Sequence, residues 1–144
     1  MLQIRRAERG DIAWIAALEK ETFSLPESEA AFSEMLGKTD HILLVAERDG
    51  EPIGYICAYT VCRESDILTV AVAPAARRCG AGCALLGALA EALAGDSDAI
   101  FLEVRVSNAP ARALYTSMDF VEVGVRRGYY QNPKEDAVLY KKEI

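Results

Sequence analysis

The feature that most constrains the fold is a change of character at Pro74. Before it, three apolar runs follow one another with little between them: His41–Arg48, Pro52–Cys62 and Ile67–Val72. Asp49-Gly50 separates the first two, and Asp-Gly between apolar runs signals a hairpin, because both central residues of such a turn need positive φ. Strands joined in this way lie antiparallel. Beyond Pro74 come a basic pair, two glycines and the Ala/Leu-rich stretch Cys83–Ala94, which reads as a helix ended by Gly95-Asp96-Ser97-Asp98. Ala99–Val106 then reads as a strand reached through a helical crossover, the connection that parallel neighbours need. Hairpins and crossovers in one chain call for a mixed sheet.

The remaining segments fit around that sheet. Leu2-Gln3-Ile4-Arg5 alternates apolar and polar like an edge strand. Asp11 is placed to cap an amphipathic helix running to about Phe23, with Ile12, Ile15, Leu18 and Thr22 along one side. Pro26 breaks the chain, and Ser28 can cap a short second helix carrying Phe32 and Leu36. Asn108–Met118 reads as a short helix, and Phe120–Arg126 and Ala137–Lys141 as two last strands. The expected order is β-α-α-β-β-β-α-β-α-β-β, an α/β (by some schemes α+β) arrangement. With 144 residues, no linker and no repeat, residues 1–144 should form one domain.

Composition narrows the function classes. A formal charge of −6, with no long basic run, argues against nucleic acid as a partner. No stretch reaches the roughly 20 apolar residues that span a bilayer, and the N-terminus lacks a signal-peptide core. A cytoplasmic protein with no membrane partner is expected, as a monomer or weak dimer. Cys57, Cys62, Cys79 and Cys83 include no CxxC pair, and His41 is the one histidine, so no metal site is expected. Free buried thiols in a reducing compartment are the expectation.

Arg77-Arg78-Cys79-Gly80-Ala81-Gly82 is the most informative stretch. A helix N-terminus offers unpaired N–H groups and about half a positive charge. Glycines at 80 and 82 remove the Cβ atoms that would hold a phosphate away from those amides, and the arginines add charge-assisted hydrogen bonds. That chemistry suits a diphosphate ester. A Walker A loop would need a following lysine, and a dinucleotide fingerprint a third glycine or alanine where Leu85 stands. A glycine-rich helix start without any ligand remains the alternative.

The same stretch resembles the Gln/Arg-x-x-Gly-x-Gly/Ala motif of the Gcn5-related N-acetyltransferases (GNAT). Phe101-Leu102-Glu103-Val104-Arg105-Val106-Ser107-Asn108, Ala113-Leu114-Tyr115, Arg126-Arg127-Gly128-Tyr129-Tyr130, Glu135-Asp136-Ala137 and Phe23-Ser24-Leu25-Pro26 together resemble the RimI type, the ribosomal-protein alanine N-acetyltransferases. The likeness covers essentially the whole chain. It implies a mixed, mostly antiparallel, V-splayed sheet with helices on both faces and acetyl-CoA wedged between the strands of Leu68–Val72 and Phe101–Val104. Backbone groups of Leu68, Val70 and Val72 would pair with the pantetheine arm, a bulge aiming one N–H at the thioester carbonyl. Arg77, Arg78, Cys79, Gly80, Ala81, Gly82 and Cys83 would hold the diphosphate. Three positions depart from the pattern: Glu27 stands where tryptophan is usual, Cys83 where a basic residue is frequent, and Asp119 where glycine is usual, at a helix C′ position favouring left-handed backbone.

The resemblance also implies roles. Glu103 lies in an apolar strand, where a carboxylate is either solvated, paired with an arginine or at work; the family's matching glutamate is a general base. Tyr115 is a packed core residue or, as in the family, the general acid toward the coenzyme A thiolate, with an unperturbed pKa near 10 expected. Asn108 is an N-cap, a cofactor contact or both. Tyr129, Tyr130 and the loop to Asp136 would face Phe23, Leu25 and Glu27 across an acceptor slot, with Asp136 binding a cationic acceptor or capping a strand. An α-amine of pKa about 8 gives up its proton at pH 7 for roughly 1.4 kcal/mol, against about 4.6 kcal/mol for lysine. That difference favours an N-terminal amine, and the reaction the resemblance implies is acetyl transfer from acetyl-CoA to a protein N-terminal amine, that of a ribosomal protein beginning with alanine. A lysine or small-molecule acetyltransferase, and a non-catalytic coenzyme A sensor, are the alternatives.

Overall fold

A computed structural model describes residues Met1–Ile144. Seven strands, β1 (Leu2–Arg6), β2 (His41–Arg48), β3 (Glu51–Val61), β4 (Glu64–Val72), β5 (Ala99–Arg105), β6 (Val121–Tyr130) and β7 (Glu135–Glu143), form one sheet in the order β1-β2-β3-β4-β5-β7-β6. Four helices, α1 (Ile12–Thr22), α2 (Glu29–Leu36), α3 (Ala81–Leu93) and α4 (Ala109–Ser117), complete the expected succession. Every neighbouring pair is antiparallel except β4 and β5, the pair joined through α3.

Local chemistry explains most boundaries. Ser28 Oγ accepts from the Ala31 amide at 3.1 Å and starts α2, as the sequence implies. Asp11 does not cap α1; its carboxylate instead takes the Arg5 guanidinium at 2.7 and 2.9 Å and the Glu8 amide at 2.7 Å, closing a 3-10 turn that precedes the helix. Asp49 and Gly50 both have positive φ, 53° and 85°, as their hairpin requires. The β3–β4 hairpin turns on Cys62 and Arg63, at φ 50° and 63°, neither of which is a usual turn residue. That is why β4 begins at Glu64 and not at Ile67. The turn is held from outside: Arg63 Nη2 donates to Asp98 Oδ1 at 2.8 Å, and the Arg63 carbonyl accepts from the Asp98 amide at 2.8 Å.

The helices divide between the two faces, giving two cores. On one side α3 and α4 pack over Ile42, Leu44, Ile56, Leu102, Val104, Val138 and Tyr140. On the other, α1 and α2 cover Leu43, Val45, Tyr55, Cys57 and Ala71, residues of β2 to β4 alone. The face of β5, β7 and β6 on that second side is left open. The thiols do not all sit in the core: Cys57 is buried and Cys79 half-buried, but Cys62 lies exposed at a hairpin tip and Cys83 on the outward side of the first turn of α3. No helix is long and apolar enough to cross a membrane.

Candidate active site

The sheet opens where β4 and β5 part. Their parallel pairing covers Glu64–Ala99, Ser65–Ile100 and Asp66–Phe101, then stops. Leu68 has no partner on β3, since Cys57 pairs with Thr69 and Ala58 with Ile67, so β4 carries a one-residue bulge there. Past the bulge, the Ala73 amide donates to Ile53 O at 2.7 Å, and alternation along an antiparallel pair turns the backbone groups of Val70 and Val72 away from β3, toward the gap. The Val72 carbonyl confirms the direction by accepting from Arg77 Nε at 3.1 Å. A V-shaped cleft with unpaired strand edges results.

The glycine loop stands at the end of this cleft. Gly80, at φ 86°, is the N-cap of α3 and offers no side chain to it. A Cβ there would meet nothing within 4 Å, so the space above the helix start is open. The first amide bonded back into the helix is that of Ala84, to Gly80 O at 3.0 Å, which leaves those of Ala81, Gly82 and Cys83 without helical partners. Unpaired amides at an open helix start are groups that could hold an anion such as a diphosphate. Gly82 has a packing reason as well: its Cβ would lie 2.9 Å from Leu114 Cδ2, so the glycine lets α3 approach α4. Arg78 at φ 65° bends the loop.

Glu103 and Tyr115 flank the cleft from opposite sides of the sheet. Leu102 and Val104 point into the α3/α4 core, so alternation sends Glu103 to the open face. Its carboxylate is 21% exposed and pairs with Arg126 Nε at 3.3 Å. The same carboxylate pushes the Tyr129 phenol up by hydrogen bonding, and Asp66 on β4 is raised first by burial, then by the charges of Glu103 and Glu64. Asp66 went unrecognised in the sequence, because nothing there aligns it with Glu103.

Tyr115 lies in α4, only 6% exposed, with its ring centroid 5.9 Å from both Phe120 and Tyr140. The helix end fixes it: the Phe120 amide donates to Tyr115 O at 3.0 Å and the Asp119 amide to Thr116 O at 3.2 Å, a Schellman closure with Asp119 at φ 70°. Burial, reinforced by Tyr130 and Tyr140, drives the Tyr115 pKa well above the ordinary phenol range, against the unperturbed value expected. The hydroxyl takes part in no intramolecular hydrogen bond. Every fully enclosed side-chain polar atom has a partner, so this hydroxyl must reach accessible space.

The remaining residues sort themselves. Asn108 Oδ1 accepts from the Ala111 amide at 3.3 Å, an N-cap for α4. Asp136 Oδ1 accepts from the Gly128 amide at 2.8 Å and so ties the β6–β7 hairpin together. Tyr129 and Tyr130 end β6, edge to face at 5.1 Å. Leu25 is 71% exposed and Phe23 37%. The Glu27 amide donates to Glu19 Oε2 at 2.9 Å, while its side chain points to solvent.

Residues 11–120 match the Acetyltransferase (GNAT) family. An N-alpha-acetyltransferase from Sulfurisphaera tokodaii is 35% identical, over 95% of this chain and 90% of its own length. A ribosomal protein bS18-alanine N-acetyltransferase from Escherichia coli is 32% identical, over 96% of this chain and 95% of its own. The crystal structure of the ribosomal-protein-S18-alanine N-acetyltransferase from Escherichia coli superposes with a TM-score of 0.89, at 31% identity, covering 100% of this chain and 94% of that one. Arabidopsis thaliana NAA60 in complex with acetyl-CoA shares the fold, with a TM-score of 0.91 at 21% identity, covering 100% of this chain and 99% of that one. The splayed strands, the open helix start and these likenesses agree: the chain belongs to the GNAT family and is an acetyl-CoA-dependent acetyltransferase.

Proposed function

We propose that the protein acetylates the N-terminal α-amine of a protein, a ribosomal protein beginning with alanine, with Glu103 as general base and Tyr115 as general acid. The observation that carries this reading is the disposition of those two groups across the β4–β5 gap, the carboxylate on the open face and the phenol on the α3/α4 side. Transfer through the gap needs a proton taken on one side and supplied on the other. The relatives from Escherichia coli and Sulfurisphaera tokodaii, named for acetylation at bS18 alanine and at α-amines, support the choice of acceptor.

Acetyl-CoA supplies the activated thioester when bound. The amides of Ala81, Gly82 and Cys83, with Arg77, Arg78 and Cys79 beside them, hold the diphosphate, and the backbone of Leu68, Val70 and Val72 holds the pantetheine arm. Glu103 attracts the acceptor's ammonium and takes its proton. Arg126 is 55% exposed, so its pairing with Glu103 is well screened and yields to an incoming amine. Tyr115 keeps its proton at every physiological pH, which makes its hydroxyl a permanent donor toward the sulfur side. Phe23, Leu25 and Glu27 form one wall for the acceptor, and Tyr129, Tyr130 and the hairpin held by Asp136 the other.

The test is acetylation of peptides beginning Ala, Ser or Met, beside an N-terminally blocked lysine peptide. The alanine peptide should be preferred, and Glu103→Gln should lower kcat by about 100-fold or more with coenzyme A affinity kept. Tyr115→Phe should also lower kcat. Acetylation confined to the lysine control would defeat the N-terminal assignment, and full activity in both variants would defeat the catalytic one.

A further inference from the structure

The two walls of the open face come from distant parts of the chain, the α1–α2 connection and the β6–β7 hairpin, and one side chain joins them. Arg105 lies two residues beyond Glu103 on β5 and so shares its face. Its Nη2 donates to Ser24 Oγ at 3.3 Å on the first wall and to Gln131 O at 3.0 Å on the second. Its Nη1 donates to Pro133 O at 2.8 Å and to Glu135 Oε1 at 3.3 Å, and the guanidinium stands 4.6 Å over the Tyr130 ring.

We propose that Arg105 is a positioning residue that sets the separation of the two walls, and through it restricts the acceptor to a small first side chain. Only a planar fork can reach both walls while stacked on an aromatic ring; an ammonium cannot span the same partners. Two hairpin carbonyls, of Gln131 and Pro133, accept from Arg105, whereas Ser24 contributes a single bond at the rim. The segments that Arg105 joins carry exposed apolar side chains, Phe23 and Leu25 on one and Tyr129 on the other. Holding them close admits a methyl group more readily than a long side chain. This rests on the N-terminal acceptor reading above.

Steady-state kinetics on the full chain with alanine- and methionine-initiated peptides test it, beside calorimetric titration with coenzyme A. Ser24→Ala removes only the bond across the slot; it should keep thermal stability and coenzyme A affinity, raise KM for the alanine peptide about threefold, and narrow the preference over methionine. Arg105→Lys should raise that KM about tenfold with kcat at saturation within about twofold. A role confined to stability would instead lower the melting temperature and leave KM alone. An active wild-type enzyme whose two variants keep the same KM and the same preference overturns the positioning role while sparing the acceptor assignment. A wild-type enzyme inert toward every N-terminal amine, though it binds coenzyme A, overturns the acceptor assignment and the selectivity with it.

Discussion

Asp119→Gly should make the protein more stable. Asp119 occupies the C′ position of α4 at φ 70°, exposed, between the two bonds that close the helix. A Cβ in the left-handed region costs about 1–2 kcal/mol. A carboxylate beside the last carbonyls of a helix costs about 0.3–1 kcal/mol more. Against this, glycine enlarges the unfolded ensemble and forfeits about 0.4–1 kcal/mol. The balance favours glycine by about 1–1.5 kcal/mol, or about 3–5 °C in melting temperature for a chain of this size. Thermal and urea denaturation measure it, with the m-value as a check that the unfolded reference is unchanged. Asp119→Asn separates the contributions, because it removes the charge but keeps a Cβ; it should recover less than about 1 kcal/mol. Since the same closure orients Tyr115, turnover should persist in both variants. A melting temperature for Asp119→Gly at or below that of the parent, with the m-value unaltered, would refute the reasoning.

Two further outcomes follow from packing and titration. Gly54→Ala should destabilise by about 2 kcal/mol or more, because its Cβ would lie 2.9 Å from the Ala71 carbonyl oxygen, a backbone atom held in the β3–β4 ladder, and 3.3 Å from Val72 Cγ2. Gly82→Ala meets only the tip of Leu114 and should cost less, so the reverse order in urea midpoints would contradict the packing described. Tyr55 and Tyr115 are buried with pKa values raised well above 10, so their contribution is whole below pH 10 and is lost as pH climbs beyond it, when the unfolded chain ionises and the folded one does not. Stability should fall by about 2 kcal/mol between pH 10 and 11 for the pair. Urea midpoints that stay flat over that interval would show that these phenols are not protected.

Much of the fold was legible because local signals were unambiguous. Asp49-Gly50, Ser28, Gly80 and the expected left-handed C′ residue at 119 each impose one backbone geometry, and each adopts it. Where a turn used residues without that signature, at Cys62-Arg63, the strand boundary was misjudged by three residues, because the conformation is enforced by Asp98 on the far side of α3. The open helix start at Gly80 was legible for the same local reason, whereas the close approach of Gly82 to Leu114 was not. Asp66 and Arg105 were not. Their significance depends on partners 26 to 81 residues away, and no spacing along one strand reveals it.

The two halves of the site are therefore built from different materials. The proposed cofactor half is backbone: unpaired strand edges and helix amides whose geometry follows from glycine, bulge and splay. The proposed acceptor half is side-chain tethering, at two points of one connection. Arg105 holds Ser24 across the slot. Glu19, 3% exposed and without a cation, accepts from the Tyr55 hydroxyl, from Thr69 Oγ1 at 2.7 Å and from the Glu27 amide at 2.9 Å. Burying a carboxylate costs several kcal/mol unless donors surround it, and three donors here do so. Thr69 directly follows the bulge at Leu68, so the carboxylate that anchors the α1–α2 connection also grips the strand that lines the cleft. Substitutions on exposed loop residues such as Leu25 can then reshape the acceptor surface while both anchors, and the cofactor half behind them, stay in place.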